Sequence, residues 1–224
     1  MKLALLSDPN TTNAQMAIKS LLATLIESSS LNGLQTLTPI KVGYIASQPD
    51  AQREYFQQAK VLYQTCGAEL SVYLELEAGF SQHALEQLLS CDAIHLSGGD
   101  TFRFLKALKS RKLLPVLRQY AINGGALIGV SAGAMIMTAS IASAPLCGDT
   151  NNCQLEDLSA LNLVEFLFAP HIELLTSQEQ SLSESFQQQL AQFTQQICLC
   201  PDGAALLSIN NELKQLGQCH WHLS

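Results

Sequence analysis

Charge is scarce in this sequence. Only 14% of the 224 residues are Asp, Glu, Lys or Arg, while 47% are hydrophobic, a balance that excludes disorder driven by high charge and low hydrophobicity. Basic residues are the scarcer sign, with 12 Lys+Arg against 19 Asp+Glu and a net charge of -7. No stretch gathers them as a phosphate-tracking surface would, so no nucleic-acid partner is expected. Cysteine pairing signals are missing too: seven cysteines are an odd number, no two are spaced C-x-x-C, and a chain of this length does not need disulfide staples. Reduced thiols in a cytoplasmic protein are the expectation. Lys2 is the one basic residue before the short apolar run that Asp8 and Pro9 break, so secretion is not expected. A long uncharged stretch does run from Gln119 to Gly148, but Asn123, Ser131, Thr138, Ser140, Ser143 and five glycines dilute it. It is expected to be a buried strand and helix rather than a membrane span.

What is present is alternation. Short apolar runs at Leu3–Ser7, Ile40–Ala46, Leu70–Leu74, Ala93–Leu96 and Ala126–Val130 predict strands. Between them lie amphipathic stretches at Thr12–Glu27, Ala51–Cys66, His83–Leu89, from Thr101 onward, and Leu113–Ile122, all predicted helical. Strands separated by helices imply crossover connections and a parallel sheet covered on both faces, that is, a three-layer α/β/α sandwich formed as one domain over 1–224. Beyond Ser140 the pattern loosens. Cys147–Asp157 is polar and turn-like, Glu165–Ala169, Ile197–Cys200 and Ala204–Ile209 predict strands, and Gln178–Gln196 predicts a helix in which Leu182, Phe186, Leu190 and Phe193 keep helical spacing.

Two glycine turns carry the candidate chemistry. Gly129-Val130-Ser131-Ala132-Gly133-Ala134 follows a buried strand and precedes the helix-compatible run Met135–Ser140. Small residues on both sides of Ser131 permit the sharp turn that exposes a serine oxygen as a nucleophile; the plain alternative is a close-packed turn with a capping serine. Ser97-Gly98-Gly99-Asp100-Thr101 also links a strand to a helix, and in a parallel sheet both turns end on one edge, where N–H groups could converge on an oxyanion. Its plain alternative is a turn using glycine for positive φ and Asp100 or Thr101 as a cap. A serine nucleophile needs a base. Of His83, His95, His171, His220 and His222, only His171 follows a strand-like run and a proline at a place where a loop would present it. The acid orienting it is Asp149 or Asp202, both also good turn residues. Cys198, Cys200, Cys219, His220 and His222 show no four-ligand spacing, so no metal is expected.

In order and approximate spacing these segments, with Asp149, Pro170-His171, Pro201-Asp202-Gly203 and the stretch Asp157–Leu163, resemble the S51 serine peptidases, the dipeptidase E family, over most of the chain. The resemblance implies a class I glutamine-amidotransferase-like α/β/α sandwich without a cofactor, acting on short peptides as a monomer or homodimer. It implies Ser131 as nucleophile, His171 as base, and the Gly99 and Ala132 amides as oxyanion hole, with Gly98, Asp100 and Thr101 contacting substrate. The family attaches the orienting role either to the residue matching Asp149 or to the one matching Asp202; as the residue closing a strand, Asp202 is favoured. Two departures stand out: Asp100 replaces the family's usual Asn, and no arginine follows Arg118, so the family's arginine for an aspartyl carboxylate has no counterpart. Strict specificity for amino-terminal Asp is not expected. An α/β-hydrolase esterase also fits G-x-S-x-G with the order Ser131, Asp149, His171, and a catalytically silent binding sandwich is the alternative from another class.

Overall fold

The computed structural model describes residues 1–31, 39–172 and 184–223. Five parallel strands form the body of the main sheet: β1 (Lys2–Leu6), β2 (Ile40–Ile45), β3 (Ala68–Leu74), β4 (Ala93–Leu96) and β5 (Ala126–Val130). Their sequences are apolar almost throughout because both faces are covered. In β1, Leu3 and Leu5 enter the core on one side of the sheet while Ala4 and Leu6 enter the core on the other, the period-2 alternation of a strand applied to two buried faces. Each fully buried leucine contributes about 1.5–3 kcal/mol relative to exposure.

Helices α1 (Thr12–Leu31) and α2 (Glu54–Thr65) cover one face through Ile18, Leu21, Phe56 and Tyr63. Helices α3 (Gln82–Leu89), α4 (Thr101–Ser110), α5 (Leu113–Ile122) and the five-residue α6 (Ala132–Ile136) cover the other through Leu88, Phe104, Leu117 and Met135. The expected three-layer sandwich is therefore the fold. Three helices begin or end more than one residue from their expected bounds. α1 runs on past Glu27. α2 starts at Glu54 rather than Ala51 because Arg53 takes a left-handed conformation, φ 55°, closing a turn in which its N–H donates to the Asp50 carbonyl. α6 starts at once after Ser131 and stops at Ile136, well before Ser140, because the Ile136 and Met137 carbonyls accept the N–H groups of Leu161 and Leu163 instead of continuing a helix.

Two strands, β8 (Ala205–Ile209) and β9 (Glu212–Leu216), extend the sheet antiparallel beyond β1, in the order β3-β2-β4-β5-β1-β8-β9. A second, three-stranded sheet holds β6 (Leu167–Pro170), β7 (Ile197–Cys200) and β10 (His220–His222), in the order β10-β7-β6. Of the helix expected over 178–196, residues 178–183 lie outside the described residues; α7 (Glu184–Leu190) is the described part, and the chain turns after it into β7. Among the described residues no helix is long and apolar enough to cross a membrane.

Candidate active site

The carboxyl ends of β1, β2, β4 and β5 lie on one edge of the main sheet, the edge at which open α/β sheets bind ligands. At the end of β5 the chain turns into α6 within one residue, and Ser131 carries the cost, with φ 49° and ψ -111°. Glycines make so tight a turn possible. A Cβ on Gly129 would stand 2.6 Å from the Ala134 backbone, and one on Gly133 would stand 2.1 Å from the Leu96 carbonyl oxygen of β4. The G-x-S-x-G spacing thus has a packing cause: α6 lies directly against the two strands that flank its turn. The Ser131 N–H is tied to the Leu6 carbonyl at 2.8 Å, which fixes the elbow to β1 as well.

His171 and Asp202 arrive from the smaller sheet. His171 follows β6, with positive φ of 59°, and Asp202 lies in the turn after β7, the strand paired in parallel with β6. His171 Nε2 lies 2.9 Å from Ser131 Oγ, and His171 Nδ1 lies 2.5 Å from Asp202 Oδ1. Ser7, just past β1, was not singled out from the sequence. Its side chain is buried here; the hydroxyl donates to Asp202 Oδ1 at 2.9 Å and accepts the His171 backbone N–H at 2.7 Å. One small side chain therefore fixes both the histidine backbone and the carboxylate. Its partners lie 164 and 195 positions away in sequence, so no local pattern could mark it.

The remaining expected site residues divide. Gly98 and Gly99 line the cleft beside Ser131. Gly99 has φ 135°, and a Cβ there would collide with Ser47 Oγ at 2.3 Å, so only glycine suits this turn. Among the described residues the Gly99 and Ala132 amide N–H groups have no acceptor, leaving two donors free next to the serine. Asp100 is the N-cap of α4, accepting from the Arg103 N–H at 2.9 Å. Thr101 is buried and donates to Asp149 Oδ2. Neither is in the wall of the cleft, and Asp149 is brought to Thr101 rather than to His171. Away from the site, Cys198, Cys200 and Cys219 are buried thiols, with Cys219 Sγ 3.8 Å from Cys200 Sγ.

The cleft has a volume of about 650 Å³ and runs from Ser131, His171 and Asp202 across Gly98–Gly99 to the loop after β2. Near its floor, the ring of Tyr44 stacks on His95 with centroids 4.9 Å apart, and His95 Nδ1 lies 3.0 Å from the Tyr63 hydroxyl. Burial holds the His95 imidazole far below its ordinary range, at about 3, so it is neutral at physiological pH. Chemically, the arrangement sets a serine oxygen beside an imidazole, the imidazole beside a carboxylate, and two backbone N–H groups without an acceptor among the described residues near the serine.

The family described as peptidase family S51 matches residues 35–216. A peptidase E of Pasteurella multocida is 29% identical over 174 residues, covering 74% of this chain and 71% of that protein. An uncharacterized peptidase of the same organism is 30% identical over 127 residues, covering 56% of this chain and 61% of its own length. The crystal structure of a Listeria monocytogenes EGD-e protein superposes with a TM-score of 0.67 at 22% identity, over 96% of each chain.

Proposed function

The chain belongs to peptidase family S51, and from that premise we propose that it hydrolyses short peptides through an acyl-enzyme formed on Ser131. In this reading Ser131 Oγ attacks the carbonyl carbon of the scissile amide as His171 Nε2 takes its proton. The negative charge gathering on the carbonyl oxygen is met by the Gly99 and Ala132 N–H groups. The tetrahedral intermediate then collapses, the C–N bond breaks, and His171 returns the proton to the leaving amine. Water repeats the sequence on the ester and releases the acid. Asp202 holds His171 in the tautomer with Nδ1–H toward the carboxylate and stabilises the imidazolium formed in each half-reaction.

The observation that carries this reading is the unbroken contact line from Ser131 Oγ through His171 to Asp202, with separations of 2.9 and 2.5 Å across three separate elements. Two features support the oxyanion assignment: Gly99 and Ala132 flank Ser131 on neighbouring strand ends, and their N–H groups are free among the described residues. The test is Ser131→Ala, which removes only one oxygen from a side chain without a capping role. It should fold as the parent does and lose several powers of ten in kcat on dipeptides. The parent, but not the variant, should gain one adduct mass from a serine-directed phosphonate. Near-parental turnover by the folded variant would sink the proposal, and hydrolysis of nitrophenyl esters without hydrolysis of any dipeptide would make the protein an esterase.

A further inference from the structure

The wall of the cleft has a one-sided charge. Asp8, Asp50 and Asp202 line it, and no Lys or Arg does among the described residues. His95, the one buried histidine in the wall, is neutral because of its burial. The sheet order gives these groups a direction. Ser131 ends β5; β1, which leads to Asp8, lies beside it on one side, and β4 and then β2, which leads to Asp50, lie on the other. With neighbouring strands about 4.8 Å apart, the end of β2 stands about 10 Å from the serine. The end of β4 between them carries Gly98 and Gly99, which have no side chain to narrow the path, beside Ser47, Gln48 and Ser97 and near the stacked rings of Tyr44 and His95.

Three further details bear on what that path accepts. Asp50 uses Oδ2 to accept the Tyr55 N–H at 3.2 Å, and its other oxygen has no partner among the described residues. Arg53, the cation nearest in sequence, stands 4.5 Å over the Tyr73 ring, makes no ion pair with Asp50 and is not in the cleft wall. His95 spends Nδ1 on Tyr63, and its ring forms part of the cleft wall beside Tyr44.

We propose that this path is the subsite for the side chain on the attacked carbonyl's residue, that Asp50 is its specificity determinant, and that it selects cationic side chains and rejects acidic ones. The inference rests on the reading of Ser131 as nucleophile. A lysine or arginine stem lies along the Tyr44–His95 floor and brings its charge to Asp50, while an aspartate or glutamate side chain meets the like charge of Asp50 and, among the described residues, no Lys or Arg in the wall to balance it.

The test uses three dipeptides, Lys-Leu, Gln-Leu and Asp-Leu, with the full chain. The expected order of kcat/KM is Lys above Gln above Asp, with Lys at least tenfold over Asp, a margin that shrinks as salt rises from 0.05 to 0.5 M, roughly a threefold fall in Debye length. Asp50→Asn keeps an oxygen for the Tyr55 N–H. It should cost Lys-Leu about tenfold, mainly in KM, and cost Gln-Leu much less; Asp50→Arg should raise Asp-Leu above Lys-Leu. Equal use of Lys-Leu and Asp-Leu by the parent, or an equal loss on all three substrates in Asp50→Asn, overturns the assignment. If no dipeptide is cleaved, the catalytic reading has failed, and calorimetric binding of the same dipeptides decides this one: tighter Lys-Leu binding that Asp50→Asn weakens upholds it, and equal or undetectable binding refutes it.

Discussion

Of Asp202, Ser7 and Asp149, only the first two meet His171, and the three should not matter equally. Asp202 faces the histidine Nδ1 at 2.5 Å, Ser7 bonds both Asp202 and the His171 backbone, and Asp149 is engaged by Thr101. Replacing an orienting carboxylate by its amide presents the wrong hydrogen-bonding partner and withdraws support from the imidazolium, a change worth orders of magnitude. Losing the Ser7 hydroxyl leaves the carboxylate in place but frees the backbone that carries His171 at positive φ. The expected ranking in one dipeptide assay is therefore a loss of about 10³–10⁴ in kcat for Asp202→Asn, about 10–100 for Ser7→Ala with KM near the parent's, and less than about tenfold for Asp149→Asn. A severe loss for Asp149→Asn beside a near-parental Asp202→Asn would reverse the assignment of the orienting acid. Much of this constellation was legible in the sequence, because Ser131, Gly99 and Ala132 sit in glycine turns whose spacing is itself the steric requirement. Ser7 was not, because it looks like the polar end of a strand and acquires its partners only when two sheets meet.

At the scale of elements, the predicted strands were legible where burial on both faces leaves a continuous apolar run. Ala93–Leu96, Ala126–Val130 and Ile197–Cys200 match their predicted bounds to the residue. β9 was missed because an exposed edge strand needs no apolar pattern: its sequence ELKQL buries only Leu216. β10 was missed because three residues, HWH, are too few to show any period. The five-residue α6 is too short to hold itself by helical hydrogen bonds alone and depends on contact with β4 and β5. That dependence gives a test. Gly133→Ala places a Cβ 2.1 Å from the Leu96 backbone oxygen, an atom that cannot swing aside, so α6 must lift from β4 at a cost of about 3 kcal/mol, the upper part of the range for overpacking. Gly203→Ala serves as the comparison, since a Cβ there meets nothing within 4 Å, and should lie within about 0.5 kcal/mol of the parent. Urea denaturation read by circular dichroism distinguishes the two, and equal midpoints would show that the elbow tolerates what the packing forbids.

For the whole molecule, the same sheet edge that assembles the candidate site also buries a titratable group, and the two facts share a cause. β2 and β4 must be neighbours for their ends to frame the cleft, and that pairing sets Tyr44 opposite His95, sealed beneath α2 by Tyr63. The unfolded chain exposes His95 with an ordinary affinity for protons, near pH 6.5, while burial lowers it to about 3 in the folded protein. Between those values the unfolded state binds the extra proton, so stability from this group is complete above pH 6.5 and is lost as the pH falls toward 3. From pH 7.5 to pH 5 the loss is about 2 kcal/mol, because 1.5 pH units below the unfolded value each unit weakens folding by about 1.4 kcal/mol. His95→Gln keeps a polar partner for Tyr63 and removes the titration. Urea unfolding at the two pH values should therefore show the parent losing about 2 kcal/mol more than His95→Gln over that interval. Equal losses in the two proteins would mean that the folded structure accommodates a protonated His95, with water or a carboxylate reaching the ring from the cleft that it lines.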